Sequence, residues 1–231
     1  MSSKFSFNNH DDLKGTHALF SPSQSAWMRY DEEKIAEKVR NQYRAPLGTE
    51  IHEYAASQII LEHNKTSVKN IISDVENYIY TKYTSLSDSN ELPNYALKLI
   101  KNVGALPKEV FEAVKLYIND AIGYRMTVEQ PVVYSKKIYG TADSIIFKNN
   151  LLRIHDLKTG FNPAHMDQLE GYAALFCLEY GIKPSDIEFE LRLYQWDGVL
   201  IHKPTVEDLL PIIDQIIFVN KNAEKFEKET E

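Results

Sequence analysis

The feature that most constrains the fold is a pair of residues, Asn149-Asn150, set between two short runs rich in β-branched and aromatic side chains, Ile138–Lys148 and Leu151–Leu157. Two such residues between two strand-like runs predict a hairpin. Counted outward from that turn, Asp143–Lys148 and Leu151–Asp156 each span six residues, so the hairpin brings Asp143 and Asp156 side by side. Like charges placed across two strands repel unless a cation lies between them.

Residues before and after Arg125 differ in period. Before it the apolar spacing is helical. Ser21-Pro22-Ser23 reads as a helix start with Ser23 as cap, running through Trp27 and Tyr30. Asp31–Tyr43 is a charged helix, Pro46-Leu47-Gly48 reads as a break, and Thr49–Leu61 resumes with Ile51, Tyr54, Ala55 and Ile59 on one face. Residues 67–84, Tyr95–Val103 and Lys108–Tyr124 follow as helices, the last with Pro107 at its first turn. After it, Met126–Tyr134 and the two hairpin runs read as strands, Pro163–Tyr180 as a helix and Asp186–Trp196 as an alternating strand. Thr205–Phe226 reads as a helix capped by Thr205 and Asp208. The expected fold is α/β, a small central mixed β-sheet flanked by helices with a helical N-terminal half. Residues 1–20 are expected to be loosely ordered, 21–125 to form a helical portion that contributes His52, and 126–231 to form a β-β-β-α-β-α core, all in a single compact domain.

Bulk composition narrows the chemistry. The 231 residues suffice for one packed core, and no run approaches the ~18 apolar residues of a membrane span. Without a secretory leader the expectation is a cytoplasmic protein, in a bacterial or phage-infected cell, with no membrane partner. The single cysteine, Cys177, excludes an internal disulfide, a cysteine-built zinc site and an iron–sulfur cluster from this chain alone. It reads as a small core residue. The net charge of −7 argues against a general polyanion-binding surface, so basic contacts must be local. Lys34, Lys38, Arg40 and Arg44 form one candidate group, and Lys136, Lys137, Lys148 and Arg153 another.

Asp156 and Lys158 are two apart on a strand and share a face, with Leu157 pointing the other way into the core and its carbonyl lying between them. Two carboxylates and a backbone carbonyl are a fitting set for Mg²⁺ or Mn²⁺, which takes a few hard oxygen ligands and keeps some water. Such a cation suits phosphodiester hydrolysis, because it screens the phosphate and stabilises charge on its oxygens. Lys158 is placed to position the attacking water or neutralise the phosphate. Gln168 and Tyr172, four apart on the next helix, share a face that can lie over the metal and reach substrate.

Taken together, Gly140-Thr-Ala-Asp143, Asp156-Leu-Lys158-Thr159-Gly160 and Gln168-Leu-Glu-Gly-Tyr172 resemble the PD-(D/E)xK nuclease superfamily. They are most similar to its RecB-like branch, of the phage and prophage type that lacks an iron–sulfur cluster. Gly48-Thr-Glu-Ile-His52 resembles the helix that brings a histidine to the metal, Leu19–Trp27 the N-terminal helix, and Glu129 the acidic residue of the first strand. The resemblance spans roughly residues 19–196. It implies Asp143, Asp156 and the Leu157 carbonyl as metal ligands, with His52 as a further one and Glu129 as a candidate. It implies Lys158 as catalytic, with Gln168 and Tyr172 in the same machinery, and Mg²⁺ or Mn²⁺ as the cofactor. The implied activity is a DNA nuclease, an exonuclease on DNA ends in recombination, repair or phage replication. A recombinase, a single-strand-annealing protein or a helicase would be its partner. With no Walker-type loop, any unwinding motor would come from such a partner. The residues themselves leave open exo- against endonuclease and DNA against RNA. They also leave open a non-catalytic DNA- or partner-binding module on the same fold. Trp27, Tyr30, Tyr43, Arg40 and Arg44 are candidates for lining a strand channel.

Overall fold

The computed structural model describes residues 20, 22–86, 92–161 and 165–229, without the side chains of 22–25, 40 and 228. The expected loose N-terminus and the Ser23 cap therefore lie outside what is described. The chain divides into two units at Ala45/Pro46.

In the first unit, the helix expected to run through Trp27 and Tyr30 is a 3-10 helix, Pro22–Arg29, and Phe20 meets Trp27 edge-on with ring centroids 5.9 Å apart. Asp31 then starts α1 (Glu32–Ile60), its carboxylate accepting the Lys34 N–H at 2.9 Å as a cap. Arg44 donates to Asn41.

The predicted break at Pro46-Leu47-Gly48 is absent, and α1 continues through Pro46. A proline inside a helix forfeits one backbone bond. Burial of Leu47, Ile51, Tyr54, Ala55 and Ile59 along the rest of the helix outweighs that loss. These residues pack with α2 (Val68–Ser85), α3 (Asn94–Val103) and α4 (Lys108–Tyr124) in a first apolar cluster.

The sheet has five strands in sequential order: β1 (Thr127–Ser135), β2 (Ile138–Lys148), β3 (Leu151–Leu157), β4 (Glu188–Gln195) and β5 (Gly198–His202). All neighbours are antiparallel except β3 and β4, which are parallel and joined through α5 (Asp167–Tyr180). The β2–β3 hairpin turns on Asn149 and Asn150, both left-handed at φ 53° and 59°, as the sequence predicts. The α/β class, the mixed sheet and the helical N-terminal half are as expected. The fifth strand was not expected, and the order is β-β-β-α-β-β-α.

Helices cover both faces. The helix α4 packs on β3 and β4 from one side, where Leu157 and Tyr194 join the first cluster. From the other side α5 packs on β1, β2 and β3, with Leu152, Ile154, Leu191 and Leu193 in a second cluster, and α6 (Val206–Lys228) lies against α5. Thr205 and Asp208 make the predicted reciprocal cap of α6. Cys177 is buried in the second cluster, and burial pushes its thiol up to about 11. Among the described residues, no helix is long and apolar enough to cross a membrane.

Candidate functional site

The site sits where β2 and β3 part. Their ladder ends at the pair Ser144↔His155, and the next residues along are Asp143 and Asp156. The N–H of Leu157 donates to Asp143 Oδ2 at 2.9 Å, so a side chain replaces the strand partner that β2 no longer supplies. The N–H and C=O of a strand residue point to the same side, so the Leu157 carbonyl faces Asp143 as well. On the β4 side, Lys158 N–H donates to the Tyr194 carbonyl at 2.7 Å and fixes the backbone just past the strand.

A change of face in β1 and β2 delivers Asp143 here. Val128 and Ile146 pack with the first cluster, whereas Val132, Tyr134 and Ala142 pack with the second. The strands turn over between those residues, and at that point Glu129 is held at φ 50°, a rare conformation for a residue that is not glycine. The pairs Val128↔Ser144 and Gln130↔Ala142 put Glu129 opposite Asp143.

His52, on α1, places Nδ1 3.3 Å from Asp143 Oδ2. Gly48, one turn earlier on α1, lies close to the segment after β3: a Cβ there would stand 2.9 Å from Thr159 Oγ1. Lys158 Nζ donates to Asp156 Oδ1 at 3.1 Å and to Gln168 Oε1 at 2.8 Å, and Gln168 Nε2 donates to Tyr172 Oη at 3.0 Å. The four side chains thus form one continuous chain of hydrogen bonds from β3 to α5. Tyr172 lies on the bare backbone of Gly140, where a Cβ would stand 2.6 Å from its ring.

The electrostatics are those of crowded carboxylates. Asp156 is 1% exposed. Burial first, and then the charge of Asp143, push its carboxyl up to about 6 against the opposing pull of Lys158. Burial and Asp143 likewise raise Glu129. Burial alone would lower His52, but its hydrogen bond to Asp143 and the charges of Asp143 and Asp156 outweigh that and raise it. Asp156 Oδ2 lies 2.9 Å from Lys158 Nζ yet is out of line for a hydrogen bond and accepts none, although it is buried.

His52, Asp143, Asp156, Leu157, Lys158, Gln168 and Tyr172 are therefore gathered at one place, with Glu129 beside Asp143. A family model described as a protein of unknown function (DUF2800) matches residues 17–174, more than half of the chain. The chain belongs to the DUF2800 family. The DUF2800 match takes in every one of those residues and stops within α5. No curated protein and no solved structure matches the chain.

Among the described residues, no group of three or more His, Cys, Asp and Glu side chains is already arranged to hold a metal ion. A hard cation needs fewer protein ligands than that, because it retains water. The donors present fit one: two carboxylates that repel each other, a backbone carbonyl on the Asp143 side, and a buried Asp156 oxygen that accepts no hydrogen bond and has only the Lys158 ammonium beside it.

Several contributors lie outside the sequence-predicted set. Tyr117 of α4 is 3% exposed, and burial and the charge of Asp143 push its hydroxyl well up. Its helical spacing with Val114 and Ile118 marks it only as core. Gly48 and Gly140 belong to the quoted motifs, but nothing in the sequence says what each must admit. The unpredicted β5 does have a sequence signal, Asp197-Gly198 after an alternating strand. Of the basic candidates, Arg153 pairs with Glu190 at 2.9 Å and stands over the Tyr124 ring, and Lys137 pairs with Glu227, so both are engaged within the fold.

Proposed function

We propose that this chain is a Mg²⁺- or Mn²⁺-dependent deoxyribonuclease of the PD-(D/E)xK type, acting as an exonuclease on DNA ends. The observation that carries the reading is the convergence of Asp143, Asp156 and Lys158 at the parting of β2 and β3. His52 stands behind Asp143 there, and Gln168 and Tyr172 extend from Lys158.

Asp143, Asp156 and the Leu157 carbonyl would hold the cation, with His52 and Glu129 at the Asp143 side. A divalent cation in that position supplies Lewis acidity to the phosphodiester and relieves the repulsion of the two carboxylates. Lys158 contributes a fixed positive charge for the phosphate and a donor for the attacking water. Gln168 holds the Lys158 ammonium in line and, with the Tyr172 hydroxyl, offers donors to a phosphate oxygen. A strand end, rather than a continuous duplex, is the substrate that the RecB-like resemblance favours. Partners such as a recombinase, an annealing protein or a helicase, and a cytoplasmic setting, belong to the same reading.

The test is cleavage of end-labelled linear duplex DNA in Mg²⁺, Mn²⁺ or EDTA, beside a closed circle and the Lys158→Ala protein. Metal-dependent loss of the linear DNA, abolished in Lys158→Ala, is the expected result. Cutting of the circle would make the enzyme an endonuclease. Equal cleavage by Lys158→Ala would sink the assignment of the site.

A further inference from the structure

The hydrogen bond from Lys158 N–H to the Tyr194 carbonyl does more than close the β3–β4 ladder. It sets two chain segments side by side just past the C-terminal ends of a parallel strand pair, the place where open α/β sheets receive ligands. One segment leads from Lys158 to Phe161, the other from Tyr194 to Trp196. At their far ends the two rings meet, with centroids 6.2 Å apart and planes inclined at 53°. Trp196 is 41% exposed on the tight β4–β5 turn, between Gln195 and its partner Gly198. Tyr194 itself is buried beneath α4, so the outward turn of Trp196 two residues later is not required by the core.

Phe161 lies three residues beyond Lys158 and Trp196 two beyond Tyr194, so at most about 10 Å and about 7 Å of chain separate the two rings from that backbone hydrogen bond. A strand whose phosphate sits at the candidate site would have to pass only a short way along this edge to bring an adjacent base to the Phe161–Trp196 pair. Base–aromatic stacking is indifferent to sequence because every base has a π-face. In a paired duplex that face is already taken by the next base.

We propose that Trp196, braced by Phe161, is a stacking platform for an unpaired nucleobase next to the candidate site, so that the substrate is engaged as a single strand. The inference rests on the nuclease reading for its choice of ligand, but its test does not depend on cleavage. The chain has two tryptophans, Trp27 and Trp196. In a Trp27→Phe protein the emission comes from Trp196 alone, and oligo-dT in EDTA is expected to quench it saturably while a blunt duplex of equal length does not. By anisotropy of a labelled oligo-dT, Trp196→Ala in the full chain is expected to bind about tenfold more weakly or worse, and Trp196→Phe to recover most of the loss. Oligo-dT that binds without quenching, or binds Trp196→Ala as tightly as the parent, would overturn the platform and leave the nuclease assignment standing. No binding of oligo-dT at all would overturn it too, and the linear-DNA cleavage assay would then judge the nuclease reading separately.

Discussion

At the scale of single residues, Asp156 is a buried carboxylate held against a second one, and the cost of its charge has a sign. Its folded carboxyl titrates at about 6, above its ordinary 3.8. Below about pH 3 it is neutral in both folded and unfolded chains and no penalty exists. As pH rises through 6 the folded state must hold a buried charge facing Asp143, with only Lys158 and His52 to offset it, and stability is lost. Asp156→Asn is therefore expected to raise stability at pH 7.5, by on the order of 1–3 kcal/mol, and to change it little at pH 4. Urea denaturation of the two proteins at both pH values checks this, and an Asn variant less stable at pH 7.5 would contradict it. Such a variant would also be inactive under the proposed function.

Among elements, α5 matters most, because it carries both Gln168 and Tyr172 over the strands. Its seat is Gly140, where the missing side chain admits the Tyr172 ring. Gly140→Ala is expected to destabilise the protein by about 1–3 kcal/mol and to displace the Gln168–Lys158 contact. In a Tyr172→Ala background the same change is expected to be close to neutral, which a double-mutant cycle by urea midpoint would measure. Additivity of the two changes would show that the ring does not depend on that glycine. These contacts also show what was legible in the sequence. The hairpin was, because a two-residue turn and matched strand lengths are local information. The grouping of Asp143, Asp156, Lys158, Gln168 and Tyr172 followed from it, since each lies within one or two elements of the turn. The continuity of α1 through Pro46 was not, because it depends on apolar contacts with α2 and α4 that no local rule weighs against a proline. The strand β5 was missed for a different reason: it is five residues long, and its run Val199-Leu200-Ile201 shows no apolar–polar alternation, so only the Asp197-Gly198 turn marks it. The turnover of β1 at Glu129 is a backbone event with no residue signature at all.

For the molecule as a whole, the two-faced sheet fixes the carboxylates before any ligand arrives, so a cation that relieves their repulsion must favour the folded chain. Millimolar Mg²⁺ or Mn²⁺ is expected to raise the thermal midpoint by about 2–8 °C in the parent and to leave Asp143→Asn unmoved. Differential scanning fluorimetry with and without EDTA makes the comparison, and an equal rise in both proteins would place the cation elsewhere.

The partners of Asp143 are drawn from very different distances along the chain. Leu157 is 14 residues away, across one turn, whereas His52 is 91 away (143 − 52), on α1. Loop-closure entropy disfavours the second contact by about 1.7 kcal/mol more than the first, so a refolding chain is expected to bring its two aspartates together before it meets the histidine. The hairpin is thus assembled against its own charge repulsion, which dilute acid or added divalent cation would ease. The refolding rate should then rise with either one, a kinetic signature of the same residues that no native-state measurement would reveal.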